Sequence, residues 1–183
     1  ASEQRLLRIA GGIAVFSLCI FAIIAWTRHV AIVPVPGGDY TEVVVGSPAF
    51  PNPLYLSGND VDADIKRLVY SGLLAQQQDG TLVPDLAESY EVSEDGKQYT
   101  IHLRDGLTWH DGEPLTVDDV LFTYSLIQND AYRSAWYRAA KNVKVERVDD
   151  ATIRFTGQTS VAQELLLVGV MPTHVWQNVM PNN

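Results

Sequence analysis

A chain of 183 residues with 46% apolar and 19% charged side chains is long enough to bury one core and too apolar to stay disordered. Its 13 Lys and Arg stand against 22 Asp and Glu, a formal net charge of −9, so no basic stripe is available to neutralise phosphates and nucleic acid is excluded as a partner. The single cysteine, Cys19, rules out an intrachain disulfide. The four histidines, His29, His102, His110 and His174, have neither HExxH spacing nor cysteine partners, so no metal and no cofactor is expected.

The first element is the run Ile9 to Trp26, IAGGIAVFSLCIFAIIAW, which carries no charge and is near the lower length limit for a helix that spans a lipid bilayer. Arg5 and Arg8 precede it and Trp26 closes it at the position of an interfacial aromatic. Gly11, Gly12 and Ser17 are small enough to let a second membrane helix pack closely, although such residues also occur in membrane helices without a partner. A secretory signal peptide competes with the anchor reading. Ala22 and Ala25 are three apart rather than two, and Trp26 is a poor neighbour for cleavage, so a retained anchor fits better. Leu18 before Cys19 and the apolar residues after it fit a membrane-facing cysteine better than a lipid-modified one. This N-terminal segment occupies residues 1–33, and a linker with Pro34, Pro36, Gly37 and Gly38 follows over 34–39.

Tyr40 to Val45, YTEVVV, reads as a first strand, and the three prolines of Gly46 to Tyr55 make a shaped loop. Asp60 or Asp62 is placed to cap a helix over Ala63 to Leu74, with Ile65, Leu68, Val69 and Leu73 on its apolar face. A turn at 76–80 leads to the extended Leu82-Val83-Pro84 and to one helical turn over Asp85 to Ser89. Tyr90 to Val92 and Gln98 to Leu103 alternate around Ser93-Glu94-Asp95-Gly96, a strong hairpin signal. Asp105-Gly106 and Asp111-Gly112 repeat the turn. Thr116 and Asp119 form a capping box for a helix over Val117 to Gln128 that buries Val120, Leu121, Tyr124 and Ile127. Asp130 starts a further helix over Ala131 to Ala140. Val143 to Val148 and Thr152 to Thr156 form a second hairpin, Val161 to Val168 reads as a helix, Met171-Pro172 breaks it, and Thr173 begins one more.

Several of these segments stand in a fixed order: Leu68-Val69-Tyr70-Ser71-Gly72-Leu73, Pro84-Asp85-Leu86-Ala87-Glu88-Ser89, Ser93 to Thr100 (SEDGKQYT), Leu103 to Gly112 (LRDGLTWHDG), Leu115 to Tyr124 (LTVDDVLFTY) and Met171 to Val175. That series resembles the signature region of the extracellular solute-binding proteins of peptide and nickel importers, family 5, and covers about Tyr40 to Trp176. Thr173 departs from the lysine of the family pattern. The resemblance implies a mixed α/β, type II periplasmic-binding-protein-like fold, present in part and preceded here by one transmembrane helix. Residues 40–66 would open the first ligand-binding lobe, 67–170 would form the family's extra domain, and 171–183 would return to the first lobe. The second lobe would lie beyond Asn183, since the start at Ala1 and the end at Met180 to Asn183 lead us to expect a longer natural protein.

The resemblance places Ser47, Ala49 and Phe50 where relatives line the solute cleft, with backbone groups available to pair with an extended peptide; a proline-rich packing loop explains the same residues equally well. Trp109 reads as core, and Asp118 and Asp119 as helix-capping carboxylates rather than an acid/base pair. With no phosphate loop, dinucleotide fingerprint or nucleophile elbow, no enzyme is expected. The expected function is a membrane-anchored solute-binding protein of an ABC importer. It would capture peptides or another small solute on the periplasmic or cell-surface side and deliver them to a permease. The rival expectation is a structural or accessory subunit of a membrane complex built on a shortened binding-protein fold.

Overall fold

The structure is a computed structural model that describes residues 16–21, 41, 43–49 and 52–179. The chain divides into two compact units, Ala1–Glu42 and Val43–Asn183. In the first, residues 16–21 are helical with exposed side chains, Ser17 among them. The rest of the apolar run 9–26, with Gly11 and Gly12, and the linker 34–39 lie outside the described residues. No helix among the described residues is long and apolar enough to cross a membrane.

The second unit is built on a four-stranded antiparallel sheet in the order β3-β4-β6-β5, with β3 Ala87–Val92, β4 Gln98–Leu103, β5 Val143–Arg147 and β6 Thr152–Gly157. Alternation decides which face is buried. Tyr99, Ile101 and Leu103 point into the core while Gln98, Thr100 and His102 are half-buried. The register places Tyr99 opposite Phe155 and Ile101 opposite Ile153, which stacks the large apolar side chains of neighbouring strands on one face. Helix α2, Val117–Ile127, covers that face with Val117, Val120, Tyr124 and Ile127. The Tyr124 ring meets Phe155 edge-on, with centroids 4.8 Å apart at 74°. Its hydroxyl donates to the Leu165 carbonyl at 2.6 Å, and burial pushes its pKa well above the usual phenol value.

The expected turns form where glycine permits them. Gly96, Gly106 and Gly112 have φ of 65°, 69° and 91°. The capping box is complete, with Thr116 accepting from the Asp118 amide and Asp119 accepting from the Thr116 amide.

Four sequence expectations are corrected. The first helix, α1, runs Asp60–Val69 and its N-cap is Asn59, not Asp60 or Asp62. Leu73 and Leu74 are drawn into the core in extended conformation, and Leu74–Gln76 (β1) pairs with Leu82–Pro84 (β2). The supposed apolar face splits accordingly: Leu73 is fully buried off the helix, and Leu68 on it is 82% exposed. Asp85 to Ser89 is no helical turn, because Ala87 starts β3 and its amide donates to Leu73 O. The helix expected over 131–140 is a 3₁₀ turn, Asp130–Tyr132, and a short helix α3, Tyr137–Ala140. Arg133, with φ of 48°, separates them. Val161 to Val168 contains a 3₁₀ turn, Gln163–Leu167, rather than an α-helix; its residues Leu165 and Leu166 are buried. The last helix, α4, is Thr173–Trp176. At either end of the sheet-bearing segment the backbone closes on itself, since the Val170 amide donates to Ser71 O at 2.9 Å.

Candidate functional site

The loop after Tyr40 contains the residues expected to meet a solute. The described residues Thr41 and Val43–Val45 form no strand; Val43 is 86% and Val45 97% exposed. A strand needs a neighbour to satisfy its backbone, and none of the described strands pairs with this stretch. Gly46 then folds the chain onto α1 with φ of 148°, so close that a Cβ would lie 2.8 Å from Val61 Cγ2. Ser47 and Ala49 are exposed, and Phe50 lies outside the described residues.

The loop is fixed from beneath by Asp62, which is 1% exposed. Its Oδ1 accepts from the Ala49 amide at 2.8 Å and its Oδ2 from Asn59 Nδ2 at 3.2 Å, while its own amide donates to Asn59 Oδ1 at 2.8 Å. Asn59 and Asp62 thus form a reciprocal cap whose carboxylate also reaches out to hold the loop. The sequence holds a signal for the cap alone, the Asn-x-x-Asp spacing of a capping-box variant. One turn later Lys66 Nζ donates to Tyr55 O at 2.8 Å and to Ser57 Oγ at 3.1 Å. Burial lowers the Lys66 pKa, and the nearby Asp62 carboxylate works against that shift. The loop is therefore stapled to α1 at both ends.

Beside Lys66 opens a small cleft of about 180 Å³ between Pro53, Tyr70, Trp136, Leu167 and Gly169. Gly169 is required there, because a Cβ would come within 2.5 Å of Tyr70 Cβ. Desolvation raises the Tyr70 pKa, offset by a hydrogen bond from Trp176. Ser134 Oγ and the Ala135 amide both donate to Leu54 O, at 3.0 and 3.2 Å, and bring Trp136 against the loop. Tyr70 stands in the Leu68 to Leu73 motif block, but neither Lys66 nor Trp136 stands out in the sequence, because residues of this kind are common on helix and turn surfaces.

The other singled-out residues are structural. Trp109 is half-buried, and its indole N–H donates to Asp119 Oδ2 at 3.3 Å. Asp118 is exposed and pairs with Arg147. His102 Nδ1 lies 3.0 Å from Thr152 Oγ1, and His174 Nε2 lies 2.8 Å from Asp111 Oδ2. Among the described residues no group of three or more acidic, histidine or cysteine side chains is placed to hold a metal. Asp118 and Asp119 are engaged with Arg147 and with three N–H donors, so they carry no acid/base geometry.

Comparison with known proteins agrees with this architecture. Residues 81–180 match the model of the bacterial extracellular solute-binding proteins, family 5 Middle. The oligopeptide-binding protein AppA of Bacillus subtilis is 31% identical over 153 residues, which covers 80% of this chain and 28% of that protein. The dipeptide-binding protein of Escherichia coli is 38% identical over 132 residues, 60% of this chain and 24% of that protein. Among solved structures, AppA of B. subtilis in complex with a nonapeptide aligns with a TM-score of 0.66 at 30% identity, over 74% of this chain and 28% of that one. NikZ of Campylobacter jejuni in complex with Ni(L-His) aligns with a TM-score of 0.66 at 34% identity, over 75% and 28%. These neighbours are mixed α/β periplasmic binding proteins, and the chain spans about a quarter of their length. By motif order, family-model match and fold, the chain belongs to the family 5 extracellular solute-binding proteins of bacteria, a family of binding proteins and not of enzymes.

Proposed function

We propose that this chain is the opening part of a peptide-binding protein of an ABC importer, tethered to the membrane by the apolar run 9–26 and delivering its solute to a permease. Residues 40–66 begin the first lobe, 67–170 form the extra domain, and the chain returns to the first lobe from Met171. The observation that carries this reading is the fixed loop. Ser47 and Ala49 stand exposed on a backbone that Asp62 holds through the Ala49 amide. A preorganised, exposed loop is suited to strand-like pairing with an extended peptide, because less ordering is left for the moment of binding. The relatives named for oligopeptide and dipeptide binding favour the same solute class. Capture would then be a closure of two lobes, a population shift driven by contacts on both sides of the solute.

The test is calorimetric titration of di-, tri- and nonapeptides into the protein expressed from its complete gene. Micromolar or tighter binding that an Ala49→Pro change weakens at least tenfold supports the reading. That change removes the amide that Asp62 holds. Absence of binding to every peptide length, with the protein folded, overturns the peptide assignment. Sedimentation with washed membranes, and its loss on deletion of residues 9–26, tests the anchor separately.

A further inference from the structure

We propose that Asp119 is a positioning residue, whose buried carboxylate docks the returning segment Met171–Trp176 onto the sheet domain and so fixes where the chain re-enters the solute-binding lobe. The lobe assignment rests on the preceding reading; the docking itself stands on geometry.

Asp119 is 5% exposed, and its two oxygens divide their work. Oδ2 serves its own neighbourhood, accepting from the Thr116 amide at 2.9 Å and from Trp109 Nε1 at 3.3 Å. Oδ1 reaches across the chain to the Thr173 amide at 2.8 Å. A residue that only capped α2 would need the first of these three donors. The third ties the start of α4 to the start of α2, 54 positions away in sequence. Neighbouring contacts align with it. Thr123 Oγ1, one turn further along α2, accepts from the Met171 amide at 2.9 Å and donates to Asp119 O at 2.8 Å. On the outside, His174 pairs with Asp111 at 2.8 Å. Among these partners Asp119 supplies the buried charge, and a hydrogen bond to a buried charge is stronger and costlier to lose than one to a neutral group.

The division of oxygens yields a discriminating substitution. In Asp119→Asn the one remaining carbonyl oxygen is best spent on the two donors Thr116 N–H and Trp109 Nε1–H. The amide NH₂ then faces the Thr173 N–H, donor against donor. Helix capping survives and docking fails. Thr116→Ala does the reverse, since it removes the hydroxyl that accepts from Asp118 and leaves Asp119 intact. Thr173→Pro removes the third donor and, with it, the buried Thr173 hydroxyl, which makes no hydrogen bond. Position 173 opens α4, where proline is tolerated because its φ suits a first helical residue.

The experiment is residue-resolved amide hydrogen exchange on the protein from its complete gene, wild type and the three variants. Docking predicts at least tenfold faster exchange at Val175, Trp176 and Gln177 in Asp119→Asn and Thr173→Pro. Those amides stay within twofold of wild type in Thr116→Ala, and strand 98–103 is unchanged in all three. If Asp119→Asn accelerates exchange at 117–120 alone and Thr173→Pro leaves 175–177 unchanged, Asp119 is a cap only and the proposal fails. Should Asp119→Asn fail to fold, Thr173→Pro decides alone. The functional arm uses trialanine. The two docking variants are expected to weaken its binding at least fivefold and Thr116→Ala less than twofold; equal effects of all three would overturn the positioning role. A wild type that ignores trialanine counts against the peptide reading, and the exchange arm still decides the docking.

Discussion

The stretch from Ala87 to Gly157 and the stretch from Val43 to Val69 share one compact unit but are finished to different degrees. The first supplies most of the core, with Tyr99, Ile101, Tyr124, Ile153 and Phe155 all buried between sheet and helix, and Leu54, Leu73, Leu165 and Met171 from outside it complete the same cluster. The second turns Val43, Val45, Leu56 and Leu68 outward while burying a carboxylate, Asp62, beneath an exposed loop. A hydrophobic core is what stabilises a segment, and an outward apolar set adds nothing to that core. The difference teaches that most of the buried core lies in the first stretch, while the second keeps most of its apolar side chains outward.

The sharpest way to break that contrast is to remove Phe155. We predict that Phe155→Ala costs about 3–5 kcal/mol in chemical denaturation, by lost transfer energy and the cavity left behind. A loss under about 1 kcal/mol would mean that the sheet core is not what holds the unit together. Next in size is Tyr124→Phe, which leaves the Leu165 carbonyl buried without its hydroxyl partner. The carbonyl keeps the Val168 amide, so about 0.5–1.5 kcal/mol should be lost in the same assay. Gly106→Ala places a side chain at φ of 69° with open space around it. Its cost is then the backbone term alone, about 1 kcal/mol. On the other side of the comparison, Leu68→Ser should change the unfolding free energy of this chain by less than about 0.5 kcal/mol, since the side chain already faces water. A larger loss would place Leu68 in a core after all.

The smallest expected effect is in acid. His174 holds Asp111 below its usual range, the Thr81 amide does the same for Asp79, the Ser93 hydroxyl for Asp95 and the Ala151 amide for Asp149. Carboxylates with depressed folded pKa values add stability that is fully present above the unfolded value of about 3.9 and is lost as pH falls through the folded one. The melting temperature should therefore be flat with respect to these groups from pH 7 to 5 and decline below about pH 4. Asp111→Asn should make the decline shallower; an unchanged slope would remove the His174 pair from the account.

What the sequence shows of this molecule divides along the same line. The Asp-Gly turns at 95–96, 105–106 and 111–112 and the Thr116–Asp119 box are legible because each is a local device whose residues satisfy one another. The elements misread are those decided at a distance. Leu73 continues a helical periodicity and Leu74 is the expected end of that helix, yet both leave α1 because the core beneath needs them. The 131–140 run breaks where Arg133 takes a left-handed backbone. The 40–45 stretch has strand composition and no described partner. The candidate site was legible only as a position in a motif series. That Asp62 would anchor the loop depends on Ala49 coming to lie over α1, a contact 13 residues apart that no local pattern encodes.

The clasp between Ser71 and Val170 has a consequence for rearranging the chain. Everything between them departs from and returns to one backbone hydrogen bond, so entry and exit are side by side. A segment with adjoining ends interrupts a host loop as a staple does, without pulling its flanks apart. Ends this close can be bridged by a short linker. The 72–169 stretch has the geometry of a cassette.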